Sequence, residues 1–322
     1  MKRLLLAITL LATVISGCSQ NHFNIPTEKF ADKVRVLGIA PIIVDADSDI
    51  KHPQKELLIS LVTEMNRKYE QQFVRKLKST GNFNTVELLN VGPQEIFAKL
   101  SSRREKRDDA SILYNKYFWK NDELRDYLQK NNLDAVMLLV VSGLTKSDKV
   151  TSIGQLKSLT SDYNYLTMTA QILDANGAIL WEYPNFRHSP VSYEPLINLE
   201  YPDFNEAEAN LTTSTIVKFK TIEGIRRILE QKRKDLLLRE TQESEVYGKQ
   251  FDEMVSLLKY DRDKEKKPAV TAPPTAPPQA PAATAPSAPV PAVEVPAVTR
   301  VPVLETPAAP TDEIVPAKGS TF

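Results

Sequence analysis

The sequence predicts an α/β domain with a mixed sheet of about five strands flanked by helices, followed by long C-terminal helices and a disordered tail rich in proline and alanine. Three observations lead to this class. Apolar segments with the two-residue period of strands alternate with segments of helical period. An Asn-Gly pair separates two alternating runs, which is typical of a β-hairpin. Residues 268–322 contain 14 of the 22 prolines, and such a segment buries too little apolar surface to offset its ordering entropy.

The first half of the domain, which we predict to span residues 33–240, alternates strands and helices. The predicted elements are, in order, a buried strand over residues 34–44, an amphipathic helix over 54–79, a strand over 84–90, a helical stretch from Pro93 into the charged segment 103–109, and a helix over 121–130. Pro93 suits the first turn of a helix because the N–H that it lacks has no partner there.

The second half contains the most apolar run of the chain after the N-terminus. LDAVMLLVVSGL predicts a central strand, covered on both faces, over residues 133–144. A polar loop is predicted to follow over residues 145–162. Apolar and polar residues then alternate over residues 163–174 and 178–183, which predicts two strands. Asn176-Gly177 between them predicts a type I′ turn.

The last part of the chain has three predicted segments. A long helix is predicted from about residue 206 to residue 241, with Phe219, Ile222 and Ile225 on its apolar face. A helical extension covers residues 241–264, with apolar residues at spacings typical of a coiled coil. The disordered tail covers residues 265–322, and its proline content favours extended polyproline II conformations.

The N-terminus has the arrangement of an export signal over residues 1–17. Lys2 and Arg3 precede an apolar run of about a dozen residues, which is shorter than the roughly 20 residues that span a bilayer. The following Ile-Ser-Gly-Cys resembles the bacterial lipobox. That resemblance implies cleavage before Cys18, which then carries diacylglycerol and a further acyl chain such as palmitate. The alternative is an ordinary cleaved signal peptide followed by a free thiol at Cys18.

Two further expectations concern location and partners. Residues 18–32 are predicted to be a polar tether between lipid and domain. Ser19 takes the place where Asp favours inner-membrane retention of lipoproteins, so we expect an outer-membrane protein that faces the periplasm. Cys18 is the sole cysteine, which excludes an internal disulfide, and 41 basic residues balance 41 acidic ones. No nucleic-acid partner is therefore expected.

The loop over residues 184–205 combines prolines with large aromatic side chains. Its candidate partner-binding residues are Phe186, Tyr193, Tyr201 and Phe204. Tyr and Phe provide large rigid contact areas and are frequent at protein interfaces. The alternative is that these rings only pin the loop to the domain.

Three stretches resemble a group of envelope lipoproteins with an anticodon-binding-like or TolB-amino-terminal-like domain. They are residues 34–44, residues 133–145, and LTMTAQILDANGAILWEYP at residues 166–184, which is similar to the strand, D-x-x-G, strand hairpin of that group. The group includes the curli secretion channel subunit and the lipoprotein activator of penicillin-binding proteins. The resemblance implies a non-enzymatic scaffold or assembly accessory that binds envelope partners.

Two alternatives remain open. The first is a subunit of an oligomeric outer-membrane secretion pore. Channel members of the group insert paired amphipathic hairpins into the membrane, whereas the predicted elements here leave no pair of ten-residue alternating segments for that purpose. The second is a cell-wall-associated enzyme. The sequence leaves the oligomeric state open, a homo-oligomer included, and it names neither partner nor pathway.

The chemical motifs are weak, and no cofactor or metal is predicted. Asp45, Asp47 and Asp49 have the spacing of a calcium loop, but Ile50 stands where an EF-hand needs glycine. Ser48 and Lys51 match S-x-x-K of penicillin-binding enzymes without the accompanying motifs. The histidines, His22, His52 and His188, show no metal-ligand spacing and are expected at the surface. The basic clusters at 103–107 and 226–239 are expected to be solvated helix faces, with contact to anionic lipid as the alternative.

Overall fold

The computed structural model of the chain describes residues 22–108, 112–151, 158–185, 193–204, 217–235 and 237–260, which all belong to the first of the two units, Met1–Ala269, into which the chain divides. The predicted signal peptide and lipobox, Phe186, His188 and the predicted tail lie outside the described residues. Among the described residues, no helix combines the length and the hydropathy that a membrane span requires.

The described residues form six helices and thirteen strands. The helices are α1 (Thr27–Lys33), α2 (Lys55–Ser79), α3 (Pro93–Leu100), α4 (Asn121–Lys130), α5 (Ile222–Glu230) and α6 (Glu245–Leu257). The strands are β1 (Val36–Ile39), β2 (Ile43–Asp45), β3 (Thr85–Leu88), β4 (Ser101–Arg107), β5 (Tyr114–Trp119), β6 (Ala135–Thr151), β7 (Ser158–Asp174), β8 (Ile179–Tyr183), β9 (Ile197–Asn198), β10 (Glu200–Pro202), β11 (Val217–Phe219), β12 (Lys232–Lys234) and β13 (Glu240–Ser244).

The main sheet is mixed, as predicted. Its strand order is β3-β1-β6-β7-β8, with β2 also paired to β6 and β9 to β7. β1 is parallel to β3 and β6, and β2 is parallel to β6. β7 is antiparallel to β6, β8 and β9. The predicted fold class, a mixed sheet flanked by helices, is therefore confirmed.

The sheet has a hydrophobic core on each face, and β6 contributes to both. Met137, Leu139 and Val141 pack into the core beneath α2, α5 and α6. Val136, Leu138 and Val140 pack into the core beneath α3 and α4. A strand covered on both faces has no polar side to show, which explains why this run is almost continuously apolar.

The segment predicted as one strand over residues 34–44 forms two strands. β1 pairs with residues 135–137 of β6, and β2 pairs with residues 140–142. Pro41 lies between them, and proline has no N–H to donate to a ladder. Both strands run parallel to β6, so the prediction was wrong only in treating residues 34–44 as one continuous strand.

The polar loop predicted over residues 145–162 is mostly strand. β6 and β7 pair over their full length, from Ala135 with Asp174 to Thr151 with Ser158. The outer part of this hairpin alternates between exposed and half-buried residues. Its exposed positions are polar: Ser147, Lys149, Thr151, Ser158, Thr160 and Asp162. A strand with so few apolar residues resembles a loop in any hydrophobic pattern, which explains the wrong prediction.

The described part of the charged segment, residues 103–108, is not helical. α3 ends at Leu100, where Ser101 is already extended at ψ 133°. β4 then pairs antiparallel with β5, so Arg104 lies opposite Tyr117 and Arg107 opposite Tyr114. The basic cluster at 103–107 is therefore a strand and not the predicted helix face, because a partner strand decides its conformation and local charge does not.

The single long helix predicted over residues 206–241 was wrong for its part from residue 217 onward, which contains β11, α5 and β12, while residues 206–216 lie outside the described residues. Thr221 caps α5 by accepting a hydrogen bond from Gly224 N at 3.1 Å, and β12 and β13 follow as a hairpin. Of the helical extension predicted over residues 241–264, residues 241–244 belong to β13 and residues 245–257 form α6, whose capping residue Ser244 accepts from Tyr247 N at 3.3 Å. Both capping residues are of the type that starts helices, a signal that the hydrophobic period concealed.

The turn between β7 and β8 differs from the predicted type I′. Gly177 has a φ of 74°, but Asn176 has no positive φ, whereas type I′ needs both. Gly177 N donates to the Asp174 carbonyl at 3.0 Å, and the Asp174 side chain accepts from Asn176 N and Ala178 N at 2.8 and 2.9 Å. The aspartate therefore organises a three-residue loop.

Candidate functional site

The chain enters the domain at residues 22–24, alongside strand β8. Phe23 forms an antiparallel bridge with Trp181, Glu182 N donates to the His22 carbonyl at 3.2 Å, and Asn24 N donates to the Leu180 carbonyl at 2.9 Å. His22 and Phe23 are only 1% and 8% exposed. Residues 22–32 of the predicted tether therefore belong to the packed domain, whereas its residues 18–21 lie outside the described residues.

A buried ion pair fixes this entry point. Lys116 Nζ lies 2.9 Å from Glu182 Oε2, and both side chains are almost completely buried. Asn24 Nδ2 donates to the other carboxylate oxygen of Glu182 at 3.4 Å. Removing one partner would leave an uncompensated buried charge, so the pair is structural. It joins β5, β8 and the N-terminal segment.

The last described residue lies beside the entry point. The Tyr260 ring is 5.9 Å from both the Phe23 and Phe30 rings, and its hydroxyl donates to the Asn82 carbonyl at 3.2 Å. Trp181 Nε1 donates to the Leu257 carbonyl at 3.3 Å, which holds the end of α6 against β8. The two ends of the described chain, at Phe23 and Tyr260, are therefore in contact.

The described members of the aromatic loop differ in their exposure. Tyr193 packs on the Tyr183 ring at 5.5 Å, donates its hydroxyl to the Met168 carbonyl at 2.8 Å, and has its pKa raised by burial. Tyr201 is among the few large apolar side chains that are exposed, and Phe204 is half-buried. Tyr193 thus pins the loop, whereas Tyr201 presents its ring to solvent.

The first carboxylate of the acidic stretch at residues 45–49 makes hydrogen bonds within the fold. Asp45 is buried, where it accepts hydrogen bonds from Arg104 at 2.5 Å and from the Tyr117 hydroxyl at 2.8 Å. Burial is the main cause that raises the pKa of Tyr117, and the Asp45 charge adds to it. Among the described residues, no group of three or more His, Cys, Asp or Glu side chains could hold a metal ion.

The S-x-x-K pair does not meet in space. Ser48 Oγ donates to the Asp45 carbonyl at 2.5 Å and accepts from Gly143 N at 2.8 Å, while Lys51 Nζ lies 3.7 Å from Asp49. A Cβ on Gly143 would approach the Asp49 backbone to 2.5 Å, so only glycine allows β6 to pass this turn. Ser48 therefore ties the turn to the sheet.

The surface assignment was wrong for two of the three histidines. His22 and His52 are buried, and His188 lies outside the described residues. His52 Nδ1 accepts from Gln54 N at 3.0 Å, which leaves Nε2 to donate to the Lys220 carbonyl at 2.9 Å. Lys220 Nζ donates to the carbonyls of Asn198 and Glu200, and burial lowers its pKa to about 8. Nothing in the sequence around these histidines indicates that aromatic rings and backbone groups bury them in the fold.

The cavities of the described residues include two that bear on function. One of about 270 Å³ lies between α3 and α4 and is lined by Glu95, Lys99, Tyr127 and Lys130 among others. Burial raises the pKa of Tyr127, and the Glu95 charge adds to it. A second, of about 30 Å³, lies beside Tyr193. The first is close to the lower size limit for a ligand site and has polar walls, and its lining contains no serine, cysteine or histidine.

The sequence reasoning missed one exposed apolar feature. Leu237 and Leu238, at the turn between β12 and β13, are 70% and 78% exposed. Their run, KDLLLRE, was assigned to a predicted helix, although three leucines in succession break the single-face pattern expected there. That break was the available signal.

Comparison with known proteins gave no family. No family model matches the chain, and no curated protein matches it. Among solved structures, a PelC dodecamer from Paraburkholderia phytofirmans is 10% identical, with 47% of this chain and 68% of that chain covered and a TM-score of 0.20. A point variant of it is 11% identical, with 45% and 66% covered and a TM-score of 0.19.

A third structure, a neuraminyllactose-binding hemagglutinin homolog from Helicobacter pylori, is 11% identical, with 76% of this chain and 92% of that chain covered and a TM-score of 0.32. At these TM-scores the likenesses assign neither a family nor a function to this chain. The resemblance to the lipoprotein group with the TolB-amino-terminal-like domain stays a prediction.

Proposed function

We propose that the chain is a lipid-anchored outer-membrane protein that faces the periplasm and serves as a non-enzymatic scaffold or assembly accessory for envelope partners. One structural observation supports this proposal in addition to the lipobox, because it limits the distance between Cys18 and the domain. The packed domain begins at His22, four residues after Cys18. An extended chain covers at most about 3.6 Å per residue, so Cys18 lies within about 15 Å of His22.

This short tether decides how the domain would meet its membrane. An acylated Cys18 carries several chains, and each buried methylene contributes about 0.8 kcal/mol, so the anchor is firm. With only residues 18–21 as a link, the domain rests against the bilayer and does not sample the periplasm at a distance. A scaffold of this kind positions partners close to the membrane surface.

The polar chemistry of the domain supports a non-enzymatic role. Asp45, Ser48 and Glu182, which have the residue types that catalysis uses, are each occupied by structural contacts. The exposed ring of Tyr201, with half-buried Phe204 beside it in the chain, is the described part of the surface that we assign to partner binding. Phe186 belongs to the same predicted loop.

The test is a Cys18→Ala variant compared with the unchanged chain in a diderm bacterium. We expect the variant to lose palmitate incorporation and to leave the outer-membrane fraction. A Ser19→Asp variant is the matched control: it should keep palmitate but move to the inner membrane. Continued lipid labelling of Cys18→Ala would contradict the anchor, and an unchanged location of Ser19→Asp would contradict the sorting assignment.

The pore subunit remains the second candidate, because the long β6–β7 hairpin removes part of the sequence argument against it. Light scattering on the detergent-extracted protein separates the two. A scaffold gives a monomer, a small homo-oligomer or a stoichiometric complex with another protein. A stable ring of many copies would favour the pore.

A further inference from the structure

The turn between β12 and β13 presents two leucines to solvent in a fixed geometry. Leu237 and Leu238 are the two most exposed large apolar side chains among the described residues. Asp235 Oδ1 accepts from Leu237 N and Arg239 N at 2.8 and 2.9 Å, and Leu238 N donates to the Asp235 carbonyl at 2.9 Å. We call the described residues Asp235, Leu237, Leu238 and Arg239 the leucine tip.

Leu238 takes a backbone conformation that leucine disfavours. Its φ is 60°, in the left-handed region that glycine usually fills. The side chain gains no burial in return, since it is 78% exposed. A strained residue that contributes nothing to the core is expected where strain serves function.

The hairpin below the tip is clamped to the domain. Arg233 binds Asp252 of α6 and lies 3.7 Å from Glu243, and Lys76 of α2 lies 2.7 Å from Asp252. Thr241 donates its hydroxyl to the Arg233 carbonyl at 2.9 Å. The leucines are thus held away from the domain by a rigid support.

The same helix connects this support to the place where the lipid tether enters. Glu253, next to Asp252, accepts a hydrogen bond from the Tyr183 hydroxyl at 2.9 Å. Tyr183 lies two residues after Trp181, the bridge partner of Phe23. α6 therefore contacts the hairpin through Asp252, and through Glu253 and Leu257 it contacts the strand β8 with which Phe23 pairs.

Charge around the tip favours an anionic surface. Between Lys232 and Glu240 the chain has four basic residues and two acidic ones, Asp235 and Glu240, of which Glu240 lies opposite Lys234 in the hairpin. Arg233 and Arg239 are partly used in ion pairs, with Asp252 and Asp235 respectively, whereas Lys234 lies exposed next to the tip. Leucines flanked by cations are the pattern that enters the boundary between lipid headgroups and acyl chains.

We propose that the leucine tip inserts into the membrane surface to which Cys18 is anchored, with its basic residues against anionic headgroups. This inference rests on the proposed function. It gives the domain a second contact with the bilayer and so a fixed orientation. A groove in a partner protein is the competing occupant, and the experiment below separates the two.

The test uses the fact that Cys18 is the sole cysteine and is consumed by acylation. A Leu237→Cys variant of the full acylated chain then has one free thiol, which takes an environment-sensitive fluorophore. The protein is reconstituted into vesicles of phosphatidylethanolamine and phosphatidylglycerol, with and without doxyl-labelled lipid. We expect a blue shift of emission, and a loss of intensity in the doxyl vesicles. With phosphatidylcholine alone, both effects should decrease.

The matched control is Leu57→Cys, which labels another exposed leucine. Leu57 is 56% exposed and lies 19 residues before Lys76 in α2, or roughly 28 Å along the helix from the clamp. Its fluorophore should stay aqueous and unquenched. Both substitutions are at exposed positions, and circular dichroism verifies that each labelled variant is folded.

Flotation of the vesicles separates this proposal from the one on which it rests. If the protein floats and the label at 237 is as aqueous as the label at 57, the leucine tip does not insert and this inference is overturned alone. If the protein does not float, the anchor fails and the tip proposal fails with it. Shielding of the label at 237 only after a partner protein is added would also overturn insertion.

Discussion

Two hairpin turns of this molecule are built in the same way and filled differently. In the β7–β8 turn, Asp174 accepts from the N–H groups two and four residues later, at 2.8 and 2.9 Å. In the leucine tip, Asp235 does the same at 2.8 and 2.9 Å. The left-handed position is Gly177 in the first turn and Leu238 in the second, at φ 74° and 60°.

The difference teaches what each turn contributes. The β7–β8 turn is packed: a Cβ on Gly177 would come within 2.0 Å of the Asn121 side chain, and Asp174 is buried against Lys33. At this position glycine suits both the left-handed backbone conformation and the small space beside Asn121. The leucine tip is open to solvent, where glycine would be the less strained choice, yet it carries leucine. The first turn serves folding, and we infer that the second serves binding.

The largest effect is expected for Gly177→Leu, which gives the packed β7–β8 turn the residue of the leucine tip. Left-handed strain and the clash with Asn121 together should reduce the free energy of unfolding by about 3 kcal/mol. Urea denaturation of the purified protein measures it. If the free energy of unfolding decreases by no more than the experimental error, the β7–β8 turn is not packed as tightly as the structure shows.

A smaller loss is expected for Asp174→Ala, which deletes the organising carboxylate of the buried turn. Two backbone N–H groups and the Lys33 ammonium lose their partner, which costs about 2 kcal/mol. Asp235→Ala is the matched variant, because it deletes the same hydrogen bonds where water can replace them. Equal losses for the two aspartates in urea titrations would remove burial as the distinction between the turns.

A gain in stability is expected for Leu238→Gly. Glycine relieves the left-handed strain of about 1–2 kcal/mol and costs about 0.5–1 kcal/mol in backbone entropy, so the free energy of unfolding should rise by about 0.5–1 kcal/mol. The same variant should weaken vesicle insertion of a label at position 237. Destabilisation by Leu238→Gly would mean that the leucine side chain makes contacts that support the fold.

The smallest effect is the acid response of the leucine tip. Hydrogen bonds from the Arg239 backbone and side chain hold the pKa of Asp235 below its ordinary value. A lowered folded-state pKa gives stability that is present above the ordinary aspartate pKa of about 3.9 and is lost as the pH falls through the folded-state value. Amide exchange at Leu237 and Arg239 should therefore accelerate, relative to the intrinsic rate, only below about pH 4. Acceleration already at pH 6 would assign the protection to another group.

Elements with a strong local pattern were predictable from the sequence. The β6 run and the face of α2 show their burial in their composition, because both are surrounded by apolar partners. β4 could not be predicted, since its charged residues adopt a strand only through pairing with β5. The hairpin of β12 and β13 was hidden because its turn lacks the glycine or asparagine by which such turns are usually recognised.

The candidate site also contains features that the sequence predicts and features that it does not. Tyr201 and Phe204 were named from composition alone, and the structure describes one ring as exposed and the other as half-buried. The start of the packed domain at His22 could not be derived from the sequence, because residues 19–24, which are polar except for Phe23, give no sign that His22 is buried and that Phe23 bridges β8. Cys18 itself stays a prediction of the lipobox pattern.

The most direct test of the account is the intact mass of the mature protein extracted from membranes, with sequencing of its N-terminal peptide by tandem mass spectrometry. The account predicts a chain that begins at Cys18 and carries a diacylglycerol thioether and one amide-linked acyl chain. Such a mass would place the lipid within four residues of the packed domain. A chain that begins elsewhere, or one with an unmodified thiol at Cys18, would contradict the anchor and with it the orientation that we propose for the leucine tip.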